Sequence, residues 1–352
     1  MKTIKAGVIG AGTISQAHLD AYQKNPHVEI VSLCDLNEAL LRQRGRAYSV
    51  SRLYTDYKEM LAREHLDAVS VCTWNSEHAP CTIAALEAGA NVLCEKPMAI
   101  SAREARKMEE AAERCGKLLM IGFVRRFGND TELLKAFIEK GDFGEIYHAK
   151  ATYLRRKGNP GGWFGDKSRS GGGPLIDLGV HVIDMTRYLM GNPKPASVYG
   201  ATFRKLFARE NIKSKPGYVA ASATDHDICD VEDFATAMIR YENGAVVNVD
   251  ASFSLNIKED IGRVELFGTK AGAKLEPELD IFGEWNGHMT NVTLATPTAL
   301  SFDGLFYKEI DHFVDCVRER APCRNPAEDG VMIMRILDAI YESARAGHEV
   351  RL

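Results

Sequence analysis

The first 124 residues alternate between short apolar runs and longer segments whose apolar positions recur every three or four residues. Ile4 to Ile9, Val28 to Cys34, a short piece around Leu53, Asp67 to Thr73, Asn91 to Cys94 and Leu118 to Phe123 have strand length. Between them Ala17, Leu19 and Tyr22, then Glu38 to Tyr48, Asp56 to Arg63, Glu77 to Ala88 and Ser101 to Cys115, carry helical spacing. Strands joined by crossover helices predict an α/β Rossmann domain with a doubly wound parallel sheet. In such a sheet the functional groups lie at the C-terminal ends of the strands.

Beyond Arg125 the pattern changes. A helix over Asp130 to Glu139 leads into an alternating strand, Glu145 to Arg156, and a long loop, Lys157 to Gly172. Gly171 to Gly191, GGGPLIDLGVHVIDMTRYLMG, then reads as one helix: Pro174 suits the first helical position, and Gly191 ends it with Pro193 beyond. Leu175, Ile176, Leu178, Val182, Ile183, Met185 and Leu189 give it an apolar surface broad enough to be packed on most sides. Strands follow at Ala196 to Phe203, Asp233 to Tyr241, Ala245 to Phe253 and Arg263 to Gly268, with shorter ones up to Leu294, and Asn243-Gly244 marks a hairpin. Helices from Leu305 to Arg318 and Glu328 to Ala346 close the chain. The expected second domain, 125–352, is α+β with a mostly antiparallel, open-faced sheet, set against a dinucleotide-binding domain at 1–124.

Composition narrows the class. At 352 residues both domains can bury a core, and a formal net charge of −4 with mixed signs gives no nucleic-acid surface. Eight cysteines without a C-x-x-C pair read as small buried hydrophobes in a reducing cytosol. MKTIKAGVIGAG is a strand entering a glycine turn and not a signal peptide, and no apolar run reaches the ~18 residues of a membrane span. The expectation is a soluble, cytoplasmic protein.

Candidate chemistry gathers at strand ends. Gly10-Ala11-Gly12-Thr13-Ile14-Ser15 joins strand to helix: Gly10 makes the turn, Gly12 lets a pyrophosphate approach, and the helix start at Thr13 and Ile14 offers N–H groups. Ser15 replaces the third glycine of that motif. Asp35 ends the second strand, where a carboxylate accepts both ribose hydroxyls of NAD and repels the 2′-phosphate of NADP; no arginine follows it immediately, the nearest being Arg42. It also reads as a plain turn residue. Thr73, Asn75 and His78 follow the fourth strand and would border the nicotinamide half of the cofactor. Glu95-Lys96-Pro97 follows the fifth; its lysine suits a cofactor ribose and a substrate hydroxyl, or is an ordinary surface charge, and its proline fixes a turn. Asp177 and His181, four apart, share one helix face, as a ligand-facing pair or a helix-stabilising contact. Arg126 follows the sixth strand as a ligand contact or part of a basic linker. Trp163 offers a flat face to a sugar ring or anchors its loop, with Arg155, Arg156 and Lys157 as possible hydroxyl donors. Asp225 to Asp233 is acid-rich without a metal-ligand spacing, so no metal is expected. Arg204 to Gly217 reads as a mobile loop or subunit contact.

GAGTIS with His18 downstream, TWNSEH, CEKP and GGGPLIDLGVH stand in the order of the Gfo/Idh/MocA oxidoreductases, which the chain resembles over nearly its whole length. Trp74 departs from the proline common there. The resemblance implies a catalytic set of Lys96, Asp177 and His181, with Glu95 and Arg126 near the cofactor. It also implies a homodimer or homotetramer through the second domain's sheet, while the acid at Asp35 favours NAD over NADP. The reaction implied is hydride transfer between nicotinamide and a secondary alcohol of a sugar, glycoside or cyclic polyol such as inositol. Two alternatives stay open at this level: a glycoside hydrolase or lyase using transient oxidation, and a non-catalytic NAD or sugar sensor.

Overall fold

Strands buried on both faces need helices above and below, and the first third of the chain supplies them. The computed structural model describes residues 3–206, 212, 217–224, 226–276, 278–295, 298 and 301–352. Most of the basic stretch Arg204 to Gly217, and Asp225 of the acidic run, lie outside the described residues. The chain divides into two units, 1–124 with 301–334 and 125–300 with 335–352.

In the first unit, β1 (Ile4–Ile9), α1 (Thr13–Lys24), β2 (Val28–Cys34), α2 (Glu38–Ala47), β3 (Arg52–Tyr54), α3 (Tyr57–Arg63), β4 (Ala68–Val71), α4 (His78–Glu87), β5 (Asn91–Glu95), α5 (Ala102–Cys115) and β6 (Leu119–Gly122) follow one another. The strands pair in parallel in the order 3-2-1-4-5-6, which places the topological switch point between β1 and β4. Side chains of Asn37, Asp56 and Ser101 cap α2, α3 and α5, and Gly116 ends α5 in the left-handed conformation, φ 60°.

The second unit begins with α6 (Asn129–Glu139), β7 (Ile146–Leu154) and the one-turn α7 (Lys167–Ser170). A π-helical turn, Leu175–Gly179, runs into α8 (Val180–Leu189). Then come β8 (Pro195–Phe203), β9 (Phe234–Tyr241), β10 (Val246–Ser252), β11 (Ile261–Gly268), β12 (Ala271–Leu275), β13 (Asp280–Trp285) and β14 (His288–Val292). After α9 (Phe302–Val317) and α10 (Ala327–Ala346), a two-residue strand, β15 (Val350–Arg351), ends the chain. The nine-stranded sheet runs β14-β13-β12-β11-β7-β10-β9-β8-β15 and is antiparallel except between β7 and β10. The Asn243-Gly244 hairpin forms as expected, with Gly244 at φ 87° and the Tyr241 N–H donating to the Ala245 carbonyl.

Two features were not read from the sequence. Residues 301–334, with α9, group with the six-stranded sheet. The Phe306 ring of α9 meets His18 of α1 with centroids 5.8 Å apart, and Asn325 donates to the Ile121 carbonyl of β6; contacts so distant in sequence leave no local signal. The central helix also opens with a wide π turn where the glycine and proline pattern predicts plain α-helix. Gly179 lies in that turn, where a Cβ would stand 3.1 Å from Leu175 Cδ1 and 3.5 Å from Ala251 Cβ of β10, so glycine lets the turn lie on the sheet.

Candidate active site

The glycine turn after β1 shows two different reasons for glycine. Gly10 has φ 97°, and any Cβ there would collide with the Cys72 carbonyl of β4. Gly12 has an ordinary φ of −65°, and no protein atom lies within 4 Å of the position its Cβ would take. Neither backbone strain nor packing requires glycine at that point; close approach of a ligand does. No side chain caps α1, which starts one residue later, so its first N–H groups face that space. Ser15 is fully buried and donates to the Gly12 carbonyl at 2.7 Å, filling the third-glycine position as packing and as a brace. Ile14 packs against the cluster of Ala17, Val124 and Phe306, which leaves its main chain for the turn.

Asp35 is part of the turn's construction. Its Oδ2 accepts the Ala11 N–H at 2.6 Å and its Oδ1 the Asn37 N–H at 2.7 Å, yet each carboxylate oxygen retains a lone pair. Arg42 is held by Glu38 at 2.8 Å, while Arg44, which sequence spacing did not single out, donates to the Ala11 carbonyl at 3.2 Å. These residues fit a dinucleotide: an open cradle for pyrophosphate and a carboxylate at the ribose end.

At the end of β5 the Lys96-Pro97 bond is cis. Glu95 is buried, and its Oε2 accepts the Lys96 main-chain N–H at 3.2 Å. His78 is 1 % exposed, with Nδ1 2.7 Å from the Pro97 carbonyl and Nε2 3.2 Å from the Thr73 carbonyl, between the segments that follow β4 and β5. Burial lowers its pKa and the two carbonyls oppose that shift. Thr73 is half-buried and donates to the Trp74 carbonyl at 3.3 Å, and Asn75 is buried in the short turn leading to α4.

In the second unit, the stretch from Gly172 to Arg187 is buried at every residue but two, Asp177 and His181. The π turn carries the first and the opening turn of α8 the second. Wide turns of this kind recur at functional sites, and here a carboxylate and an imidazole are the accessible groups of an otherwise buried stretch. The glycines before it are spatial necessities: a Cβ on Gly172 would strike the Tyr341 hydroxyl, and one on Gly173 the Glu232 carbonyl.

Glu232, absent from the sequence-based set, fixes the start of this helix. Its two carboxylate oxygens accept the Gly173 N–H at 3.0 Å and the Leu175 N–H at 3.2 Å, and the Tyr341 hydroxyl donates to it at 2.9 Å. Burial pushes its carboxyl up and these donors oppose that. Glu232→Ala is expected to cost about 1–3 kcal/mol of stability, because two N–H groups and a phenol lose their acceptor. Denaturant unfolding of the variant checks this, with turnover falling through displacement of Asp177.

The Arg126 guanidinium is fully buried, donates to both carboxylate oxygens of Asp184 on α8 at 3.0 and 2.5 Å, and lies 4.6 Å from the Tyr188 ring centre. A buried bidentate pair of this kind holds α8.

The acidic run after residue 225 also has a structural explanation. Asp227 accepts N–H groups of Gly162 and, at 3.1 Å, of Thr224; Asp230 accepts the Lys167 N–H at 2.7 Å; Asp233 accepts the Lys205 N–H at 2.6 Å. These carboxylates hold loops, and no group of three or more metal-ligand side chains forms among the described residues. Trp163 stacks on Phe164 at 3.9 Å and is half-buried beside a hollow of about 190 Å³ lined by Gly162, Asp166, Arg169, His226 and Asp227. Lys157 donates to the Ile212 carbonyl and Arg155 to the Gly158 carbonyl, so both serve the loop. Burial raises the Asp227 carboxyl but the Gly162 and Thr224 donors outweigh it, leaving the folded pKa below the ordinary value. Its contribution is therefore complete above the unfolded pKa of about 4 and lost as pH falls through the depressed folded value. Protection of the Gly162 amide from exchange should drop on acidification below about pH 4 in the wild type, and be low already at neutral pH in Asp227→Ala.

No helix among the described residues is long and apolar enough to cross a membrane. Residues 4–123 match the model of an oxidoreductase family's NAD-binding Rossmann fold, and residues 135–352 that family's C-terminal alpha/beta domain. D-glucoside 3-dehydrogenase of Escherichia coli (strain K12) is 33% identical over 99% of this chain and 97% of its own. D-xylose 1-dehydrogenase (NADP(+)) 2 of Haloferax volcanii is 26% identical over 98% of this chain and 99% of its own. A solved levoglucosan dehydrogenase in complex with NADH superposes with a TM-score of 0.87 at 26% identity, covering 99% of both chains. The two halves of one family's model thus cover most of the chain, which belongs to the Gfo/Idh/MocA oxidoreductase family.

Proposed function

We propose that this protein oxidises a secondary alcohol of a sugar, glycoside or cyclic polyol with NAD, using Lys96, Asp177 and His181. The observation that carries the reading is the selective exposure of Asp177 and His181 on a helix otherwise buried from Gly172 to Arg187. NAD supplies the hydride acceptor at its nicotinamide ring. Gly10, Gly12 and the start of α1 hold its pyrophosphate, and Asp35 takes the adenosine ribose. His181 accepts the substrate hydroxyl proton, a task suited to an imidazole with an ordinary pKa of about 6.5. Lys96 donates to the same hydroxyl oxygen and stabilises negative charge as the proton leaves. Asp177 orients the hydroxyl or the imidazole, and Trp163 packs on the sugar ring.

Preference for NAD over NADP rests on Asp35, whose charge opposes a 2′-phosphate, and on Arg42 being engaged by Glu38. Glycosides are the favoured substrates among the three classes, on the 33% identity to a D-glucoside 3-dehydrogenase. A second copy of the chain would cover the open sheet face, where Tyr199 and Met238 pair across β8 and β9 and stay about half exposed. The test is the increase in NADH absorbance with NAD and then NADP against methyl glucosides, inositols and free hexoses. NAD reduction with a glucoside supports the reading in full. NADP alone removes Asp35 from its role, and no reduction with any class overturns the dehydrogenase.

A further inference from the structure

Behind Lys96 lies a buried polar chain that the reaction as described does not use. Tyr22, Ser70 and His18 are each 0 % exposed and Glu95 is 6 % exposed. The Tyr22 hydroxyl is 2.7 Å from Ser70 Oγ, Ser70 Oγ is 3.0 Å from His18 Nδ1, and His18 Nε2 is 2.8 Å from Glu95 Oε1. We propose that His18 is a positioning residue for Lys96: a one-way chain of donors from Tyr22 through Ser70 and His18 holds the Glu95 side chain in place under the Lys96 main chain. The proposal rests on the reading that Lys96 acts on the substrate hydroxyl.

Counting protons fixes the direction. Among the described residues, Ser70 Oγ is the hydrogen-bond partner of the Tyr22 hydroxyl. Tyr22 must therefore donate to it, since the reverse would leave a buried O–H proton unpaired. Ser70 has one proton and passes it to His18 Nδ1, which then carries none. The ring proton sits on Nε2 and is donated to Glu95 Oε1. Glu95 Oε2 is left to accept the Lys96 N–H, and Gly122 on β6 makes room for it, since a Cβ there would come within 3.2 Å of Oε2. The other titratable groups facing Glu95 are the thiols of Cys72 and Cys94, both raised by burial and so neutral, His78, whose pKa burial lowers, and Lys96 itself; Glu309 of α9 faces Cys72 and Tyr22. Among the described residues, the side-chain hydrogen-bond partner of the Glu95 carboxylate is His18.

The direct test is ¹⁵N NMR of the full-length protein with NAD, its histidines labelled and His18 assigned by its loss in His18→Gln. The account expects the Nε2 tautomer, with the ring proton on Nε2 and none on Nδ1. A ring protonated on Nδ1, or an imidazolium at neutral pH, overturns it. Kinetics with NAD and methyl glucoside give the functional readout. Gln places an amide N–H₂ where Nε2 stood, so His18→Gln should keep kcat within about threefold, whereas His18→Leu should lose about tenfold or more in kcat with NADH affinity within about threefold. Equal kcat in the two variants, or a loss confined to NADH affinity, overturns the positioning role. If the leucine variant does not fold, the double variant Tyr22→Phe, Ser70→Ala removes the donors to Nδ1. The ring proton should then no longer be confined to Nε2, and an unchanged tautomer overturns the account. Because the NMR result does not depend on turnover, a failure of the substrate reading stays distinguishable from a failure of this one.

Discussion

Alanine in place of His181 is expected to lower kcat/KM for alcohol oxidation by about 10²-fold or more, with NADH affinity and stability close to wild type. The magnitude is that of losing a positioned proton acceptor: hydride cannot leave a carbon readily while its hydroxyl keeps its proton. Stability should change little because His181 is partly exposed, while the apolar positions on either side, Val180 and Val182, are fully buried and carry the packing of α8. The loss should appear in kcat, since binding of the sugar ring rests on other groups. Turnover retained within about threefold would remove His181 from the chemistry and leave the D-x-x-x-H helix with a binding role.

Gly12→Val separates the fold from the cofactor. Gly12 has extended-to-helical geometry that valine tolerates, φ −65°, and nothing of the protein within 4 Å of its Cβ position. The folded chain should accept the side chain with a small change in melting temperature. The space it fills is the one assigned to the pyrophosphate, so the Kd for NADH should rise about 10²-fold or more, measured by fluorescence titration. Gly10→Ala is the contrast: its φ of 97° and the Cys72 carbonyl make it a folding defect first. Unchanged NADH affinity in Gly12→Val would contradict the placement of the cofactor's phosphates.

Strand and helix periods made both sheets legible in the sequence. The six parallel strands, the Asn243-Gly244 hairpin and helices α9 and α10 lie within a few residues of where the apolar pattern puts them. What was illegible depends on contacts between distant residues. Arg126 reads as an exposed basic residue after a strand, but Asp184, 58 positions away, turns it into a buried pair. His78 reads as a polar residue at a ligand-facing strand end, and its ring is used by two carbonyls of the same loop system. Glu232 and Asp227 sit in an acid-rich run whose spacing assigns them no task, and their role is decided by the N–H groups of Gly162, Gly173 and Leu175. The π turn leaves no period to find, because it is a single wide turn permitted by Gly179 against β10. The glycines of the GGG run were visible as glycines, but the reason for Gly172 is Tyr341, near the far end of the chain.

The central claim, that hydride leaves the substrate and stays on the cofactor, is tested most directly by stoichiometry. Purified protein is incubated with excess NAD and the best glucoside or polyol, and NADH and oxidised sugar are counted in the same sample. The account predicts one NADH per oxidised sugar, abolished by His181→Ala. A product formed while NADH stays at the level of bound cofactor would contradict it in favour of transient oxidation, and bound NAD with no product at all would make the protein a sensor.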